Sequence, residues 1–206
     1  MFSSHNYLKR KTPEQGINRQ EYIEHLVEEY YTTTNVGKLK THQNNEAQEQ
    51  VSANLANFAY DPINWDYLKT AEVLKLFFEL LELPNEKLQL HGSAGLCNIC
   101  LDKQALKYII KADNFYKLKN LLLKTTNLNI VLNSLTLLYQ LLSNLPPTKN
   151  CILCATILKK IQHFKTVYEK DQRIVNICNL IIAEFGQRHE FIEVNTQLPT
   201  NDQRVE

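Results

Sequence analysis

Glycine and proline are scarce in this sequence, at 5 and 6 of 206 residues. A β-sandwich or barrel needs turn residues at every hairpin, so the shortage argues against those folds and favours helices joined by short loops. Long apolar runs are also missing. The longest candidate, Ile130 to Leu145, is broken by Asn133, Gln140 and Asn144, well short of the ~20 apolar residues that span a bilayer. The opening MFSSHNYLKRKTPEQ lacks the apolar stretch of a secretory leader. Net charge is nearly absent: 23 Lys/Arg against 22 Asp/Glu leaves +1, which gives no global electrostatic reason to bind nucleic acid.

Catalytic signatures are lacking as well. The histidines at 5, 25, 42, 91, 163 and 189 are scattered, with no HExxH, no GxSxG and no glycine-rich phosphate loop. Cysteine is odd in number, at five, and without secretory features reduced thiols in cytosol or nucleus are expected. Cys97 and Cys100, and Cys151 and Cys154, have a zinc-like spacing. They lie in apolar helical sequence, LCNIC and CILCATIL, rather than on turns. The expectation is therefore small buried residues, with no metal, no cofactor and no enzyme. Lys9-Arg10-Lys11 reads either as a weak nuclear signal or as a solvated terminus.

What the sequence does contain is a repeat. Leu55-Ala56-Asn57-Phe58, Leu96-Cys97-Asn98-Ile99, Leu138-Tyr139-Gln140-Leu141 and Ile177-Cys178-Asn179-Leu180 follow one another at spacings of 41, 42 and 39 residues. Each has an amide at its third position. Periods near 40 to 47 residues belong to armadillo and HEAT helical repeats. Between the amide strings the pattern gives a short helix over 64–69, a medium one over 72–82 and a long one over 86–100. The same order returns over 105–111, 115–124 and 128–143, and further helices are expected over 151–164 and 172–186. Short, medium, long is the armadillo order; paired helices of equal length would favour HEAT. Residues 19–31, RQEYIEHLVEEYY, read as an amphipathic capping helix, because a terminal repeat must cover the end of a stacked core. Residues 32–45 read as a polar loop. The expected architecture is all-α, an armadillo-repeat right-handed superhelix (an α-solenoid) of three to four repeats over residues 19–187. A tail precedes it at 1–18 and another follows at 188–206.

The block EQVSANLANFAYDPINWDYL at 49–68, continued by GLCNICLD at 95–102 and more loosely to about residue 186, resembles the armadillo repeat-containing protein 7 family. That resemblance implies a small, non-enzymatic nuclear protein of the minor spliceosome, which removes the rare class of introns. It implies an RNA-binding motif protein 48-like partner that handles the small nuclear RNA. The chain itself would touch that RNA indirectly or weakly, be a monomer within the hetero-complex, and have no membrane contact. The alternative is a peptide-binding armadillo adaptor in signalling or transport. One departure concerns the usual glycine-rich turn between first and second helices, where this sequence has Thr70-Ala71 and Lys111-Ala112-Asp113.

In armadillo solenoids an asparagine on the third helix faces the groove and pairs with a bound peptide's backbone, since an amide offers donor and acceptor together. Asn57, Asn98 and Asn179 match that position, and Gln140 replaces it. The other reading is that these amides satisfy backbone groups inside the protein. Asn54, matched by Gly95 in the next repeat, calls for a local bond.

Charge is uneven. Residues 21–86 hold 12 acidic and 4 basic residues, while 101–175 hold 12 basic and 4 acidic. Lys117, Lys119, Lys159 and Lys160 are candidates for contact with an acidic segment or RNA phosphate, against the plainer reading of solvated helix faces. Trp65, beside Asp61-Pro62, is either a packing anchor or an interface residue.

Overall fold

The computed structural model describes residue 3 and residues 17–35, 42–146 and 152–186. The basic run at 9–11, Lys149, Cys151 and the tail at 188–206 lie outside the described residues, as does most of the tail at 1–18. Helices joined by short turns make up the described residues, with no strand among them. The helices are α1 (Arg19–Asn35), α2 (His42–Tyr60), α3 (Trp65–Thr70), α4 (Val73–Glu82), α5 (Glu86–Ile99), α6 (Lys103–Ile109), α7 (Ala112–Lys124), α8 (Leu128–Asn144), α9 (Ala155–Val167) and α10 (Gln172–Phe185). The order of 6, 10 and 14 residues in α3 to α5 returns as 7, 13 and 17 in α6 to α8. The chain divides into two compact units, Met1–Leu141 and Leu142–Glu206. An all-helical fold with this order of lengths is consistent with an α-solenoid.

The expected polar loop at 32–45 is shorter than its composition suggested. Helix α1 continues to Asn35 and α2 begins at His42, because Asn, Gln and Thr carry only a small helix penalty that neighbouring turns can offset.

In the first unit, α4 is the most deeply buried element. Its sequence VLKLFFELLE buries Val73, Leu74, Leu76, Phe77, Phe78, Leu80 and Leu81, leaving Lys75 and Glu82 outside. At ~1.5–3 kcal/mol for each large apolar side chain fully buried, packing holds this helix far more firmly than propensity does. The helix stops at Leu83-Pro84, and Asn85 caps α5 by accepting from the Lys87 and Leu88 N–H groups. Asp102 caps α6 in the same way through Gln104 and Ala105.

Two glycines let α5 approach α4 closely. A Cβ at Gly92 would sit 2.7 Å from the Phe77 carbonyl oxygen, and one at Gly95 would sit 2.3 Å from the Phe77 ring. The α3–α4 turn, where glycine is usual, is made instead by Glu72 in the left-handed region, with φ 55° and ψ 26°. The equivalent α6–α7 turn takes another route, with Lys111 at φ −56° and ψ 141°.

The second unit pairs α9 with α10. Ile157, Ile161 and Phe164 are buried from α9, and Ile174, Cys178, Ile181 and Phe185 from α10. Asp171 caps α10 by accepting from the Arg173 N–H.

Candidate protein-interaction surface

The three long helices of the first unit are joined by side chains that recur from one to the next. Asn85, while capping α5, donates its amide to Glu49 Oε1 of α2 at 2.9 Å. Asn127, accepting from the Asn129 and Ile130 N–H groups at the start of α8, donates to Glu86 Oε2 at 3.2 Å. One residue type at one structural position thus starts a helix and ties it to a carboxylate on the previous long helix. Lys87 adds an ion pair to Glu49 at 2.8 Å. The Asn85 and Lys87 bonds hold the Glu49 carboxyl below its ordinary range.

Further along the same seam, His91 Nδ1 lies 2.9 Å from Ser52 Oγ. Ser52 Oγ also lies 3.0 Å from the Glu49 carbonyl oxygen. Burial lowers the His91 pKa. Asn133 continues the seam to α5 by donating to Ser93 Oγ at 3.3 Å.

The predicted amide row falls on these helices but is not uniform. Asn98 donates to the Ala56 carbonyl oxygen at 3.0 Å, which brings it against the residue preceding Asn57. Its amide is therefore engaged within the protein. Asn57 is exposed, and its side-chain amide has no hydrogen-bond partner among the described residues. Gln140 is half-buried on α8 and makes contacts of its own. Asn179 is exposed on α10 in the second unit. Asn54 accepts from Gln50 Nε2 at 3.1 Å, the local bond its sequence position called for.

Trp65 is anchored. Its indole N–H donates to the Ala59 carbonyl oxygen at 2.8 Å, and beside it the buried Asn64 donates to the Phe58 carbonyl at 2.9 Å. These two bonds satisfy carbonyls that the end of α2 would leave open. Arg19 closes the corner, reaching Asn64 Oδ1 at 3.1 Å and lying over the Phe58 ring at 5.3 Å.

Of the four predicted lysines, Lys117 is ion-paired with Glu82 and Lys160 lies over the Phe164 ring at 4.8 Å. Lys119 is half-buried on α7, and Lys159 is exposed on α9 in the second unit. Sequence reasoning missed two exposed apolar side chains at equivalent positions, Tyr60 at the end of α2 and Leu101 just beyond α5, which are 61% and 55% exposed. Their 41-residue spacing, the same as that from Asn57 to Asn98, was the available signal.

Three of the thiols are poor nucleophiles, while Cys154, half-buried, stands at the start of α9 rather than inside a helix. Burial pushes Cys97 and Cys178 up to about 11 and Cys100 up to about 12, and the Cys100 thiol donates to the Cys97 carbonyl oxygen at 3.1 Å. Among the described residues no group of three His, Cys, Asp or Glu side chains is placed to hold a metal ion. No described helix is long and apolar enough to cross a membrane.

A surface built this way offers exposed polar and apolar side chains on a stack of cross-linked helices. The chain is similar to armadillo repeat-containing protein 7 of Mus musculus. The two are 42% identical over 81 residues, which is 39% of this chain and 36% of the mouse protein. The match thus spans about a third of that relative's length. No protein-family model matches the chain.

Proposed function

We propose that this protein is a non-enzymatic armadillo-type interaction scaffold of the minor spliceosome. In this reading it is nuclear and acts in splicing of minor-class introns through an RNA-binding motif protein 48-like partner. Helix α1 serves as the cap on the first repeat, and three to four repeats form the right-handed solenoid. The observation that carries the reading is the 42% identity to armadillo repeat-containing protein 7. The repeated Asn–Glu ties between long helices support the solenoid part of it. The buried, high-pKa thiols accord with a binding role rather than a catalytic one.

Partner contact is assigned, within the first unit, to the exposed side chains of Asn57 and Tyr60 on α2 and of Leu101 just beyond α5, with Gln140 on α8; Asn179, in the second unit, is a candidate position of its own. A groove adaptor of the peptide-ladder type would need each amide turned to a ligand. The Asn98 bond to Ala56 commits one of that amide's two N–H groups inside the protein, which favours a side-chain-led protein contact.

Affinity purification from nuclear extract, followed by mass spectrometry and RNA sequencing, tests the reading. Co-purification of one RNA-binding protein is expected, with small nuclear RNA present only while that protein is present. Depletion of the chain should raise retention of minor-class introns and leave major-class introns unchanged. Specific binding of the small nuclear RNA by the isolated chain, or unchanged minor-intron retention after depletion, would overturn it.

A further inference from the structure

We propose that the outer face of α6, together with the cleft beside it, is a docking site for an extended acidic peptide segment that carries one bulky apolar side chain. Lys103, Lys107 and Lys111 recur every fourth residue and are all exposed. Lys103 and Lys107 lie on α6, where a rise of 1.5 Å per residue puts their attachment points about 6 Å apart along one side of the helix, and Lys111 follows in the turn to α7. Alternate residues of an extended chain, which point the same way, are about 6.6 Å apart. Carboxylates at alternate positions of such a peptide therefore meet the Lys103 and Lys107 ammonium groups nearly in register. Lys103 and Lys107 have no ion-pair partner among the described residues, so these charges are available.

Two of the neighbouring acids are already engaged. Asp102 caps α6 and binds Lys69 at 3.1 Å, and Lys69 is shared with Asp66 at 2.9 Å. Glu72 is the acidic residue on the cleft rim, and Lys75 stands near it, exposed. The cleft holds about 270 Å³ and is lined by Leu74, Ala105 and Tyr108 together with Lys69, Lys75 and Gln104. A Leu or Phe side chain of the peptide would enter there, removing apolar surface from water while the lysines hold the carboxylates.

An RNA strand has the same sign of charge but fits less well. Single-strand binding relies on aromatic faces open to stacking bases. The Tyr108 ring is already flanked by Lys111 Nζ at 4.9 Å and by Phe78 at 6.1 Å. The side chains that form this site are not those to which partner contact was assigned, so each set can be varied without the other.

The test is fluorescence anisotropy of the full chain with a labelled peptide alternating Glu and Ser around one Leu. Controls are the same peptide with Lys for Glu, and oligouridylate of equal length. The acidic peptide is expected to bind, and to weaken on going to physiological salt, where the Debye length is about 8 Å. Lys103→Glu/Lys107→Glu/Lys111→Glu should cost at least about tenfold in affinity and should gain binding of the lysine peptide. Gln104→Trp, placed to cover the cleft, should erase the preference for Leu over Ser at the peptide centre while leaving the salt dependence. Equal binding by the wild type and the charge-reversed variant, undetectable binding of the acidic peptide, or tighter binding of oligouridylate would each overturn the proposal. Circular dichroism of the variants excludes loss of fold as the cause.

Discussion

Asn98 of α5 and Ala56 of α2 are joined by a hydrogen bond from the side-chain amide to the backbone carbonyl oxygen, at 3.0 Å. A helical carbonyl has two lone pairs, so Ala56 can accept this bond in addition to the one along its own helix. The bond separates the roles of two residues that the repeat makes equivalent, Asn57 and Asn98. Asn98→Ala is expected to lower stability by about 0.5–1.5 kcal/mol, the net worth of one such bond. Asn57→Ala, at an exposed site, should stay within about 0.5 kcal/mol of wild type. Urea unfolding of the two variants, compared by midpoint at constant slope, measures the difference.

Gly95→Ala should be among the more damaging small substitutions. The added methyl would lie 2.3 Å from the fully buried Phe77 ring, and overpacking of this kind costs about 1–3 kcal/mol. Phe77→Leu in the same chain should recover part of the loss caused by Gly95→Ala. Thermal melts of both single variants and the double variant test this; strict additivity would show that the two side chains do not meet.

Glu72→Gly is expected to stabilise. Glu72 holds the left-handed conformation at φ 55°, which costs a side-chain-bearing residue roughly 1–2 kcal/mol. Glycine avoids that cost but brings roughly 0.5–1 kcal/mol of extra unfolded-state entropy. The expected net gain is about 0.5–1 kcal/mol, read as a higher urea midpoint. A lower midpoint would mean that the Glu72 side chain stabilises the turn by more than its strain.

His91 should make stability depend on pH in mild acid. Burial of the imidazole depresses its pKa in the folded state; Lys87 adds to the effect and Glu49 opposes it. The unfolded chain takes up this proton near pH 6.5, and the folded chain only at lower pH. Between those two values the unfolded state binds more protons, so stability falls as pH drops and is fully present above pH 6.5. Denaturant titrations from pH 7.5 downward should show that slope, and His91→Gln should flatten it. A slope unchanged by the substitution would assign the effect to another group.

Much of the fold was legible because it rests on local pattern. The short, medium and long helices between residues 64 and 144 followed from apolar spacing, from Pro84 and from the capping residues Asn85 and Asp102, all of which act within a turn or two of chain. The helical starts and ends around residues 32–45 were not legible, since polar residues of middling propensity carry no periodic signal. Among the candidate site residues, the sequence placed Asn57 and Asn98 in one row but assigned them one role. It also offered Lys117 and Lys160 as candidates for contact with an acidic segment or RNA phosphate; in the structure Lys117 pairs with Glu82 and Lys160 lies over the Phe164 ring.

The sequence by itself determined that the chain is helical, that its helices recur with a period near 40 residues, and where an amide returns in each period. These are properties of spacing, and spacing is carried in the chain. Only the tertiary structure decided which amide is engaged and which is exposed, because that depends on whether a carbonyl from another helix lies within about 3 Å. It likewise decided that Glu72 takes the place of a glycine, and that Gly92 and Gly95 are needed where α4 and α5 touch. Contacts between residues 15 to 42 positions apart are set by how helices pack, and no local pattern records that distance.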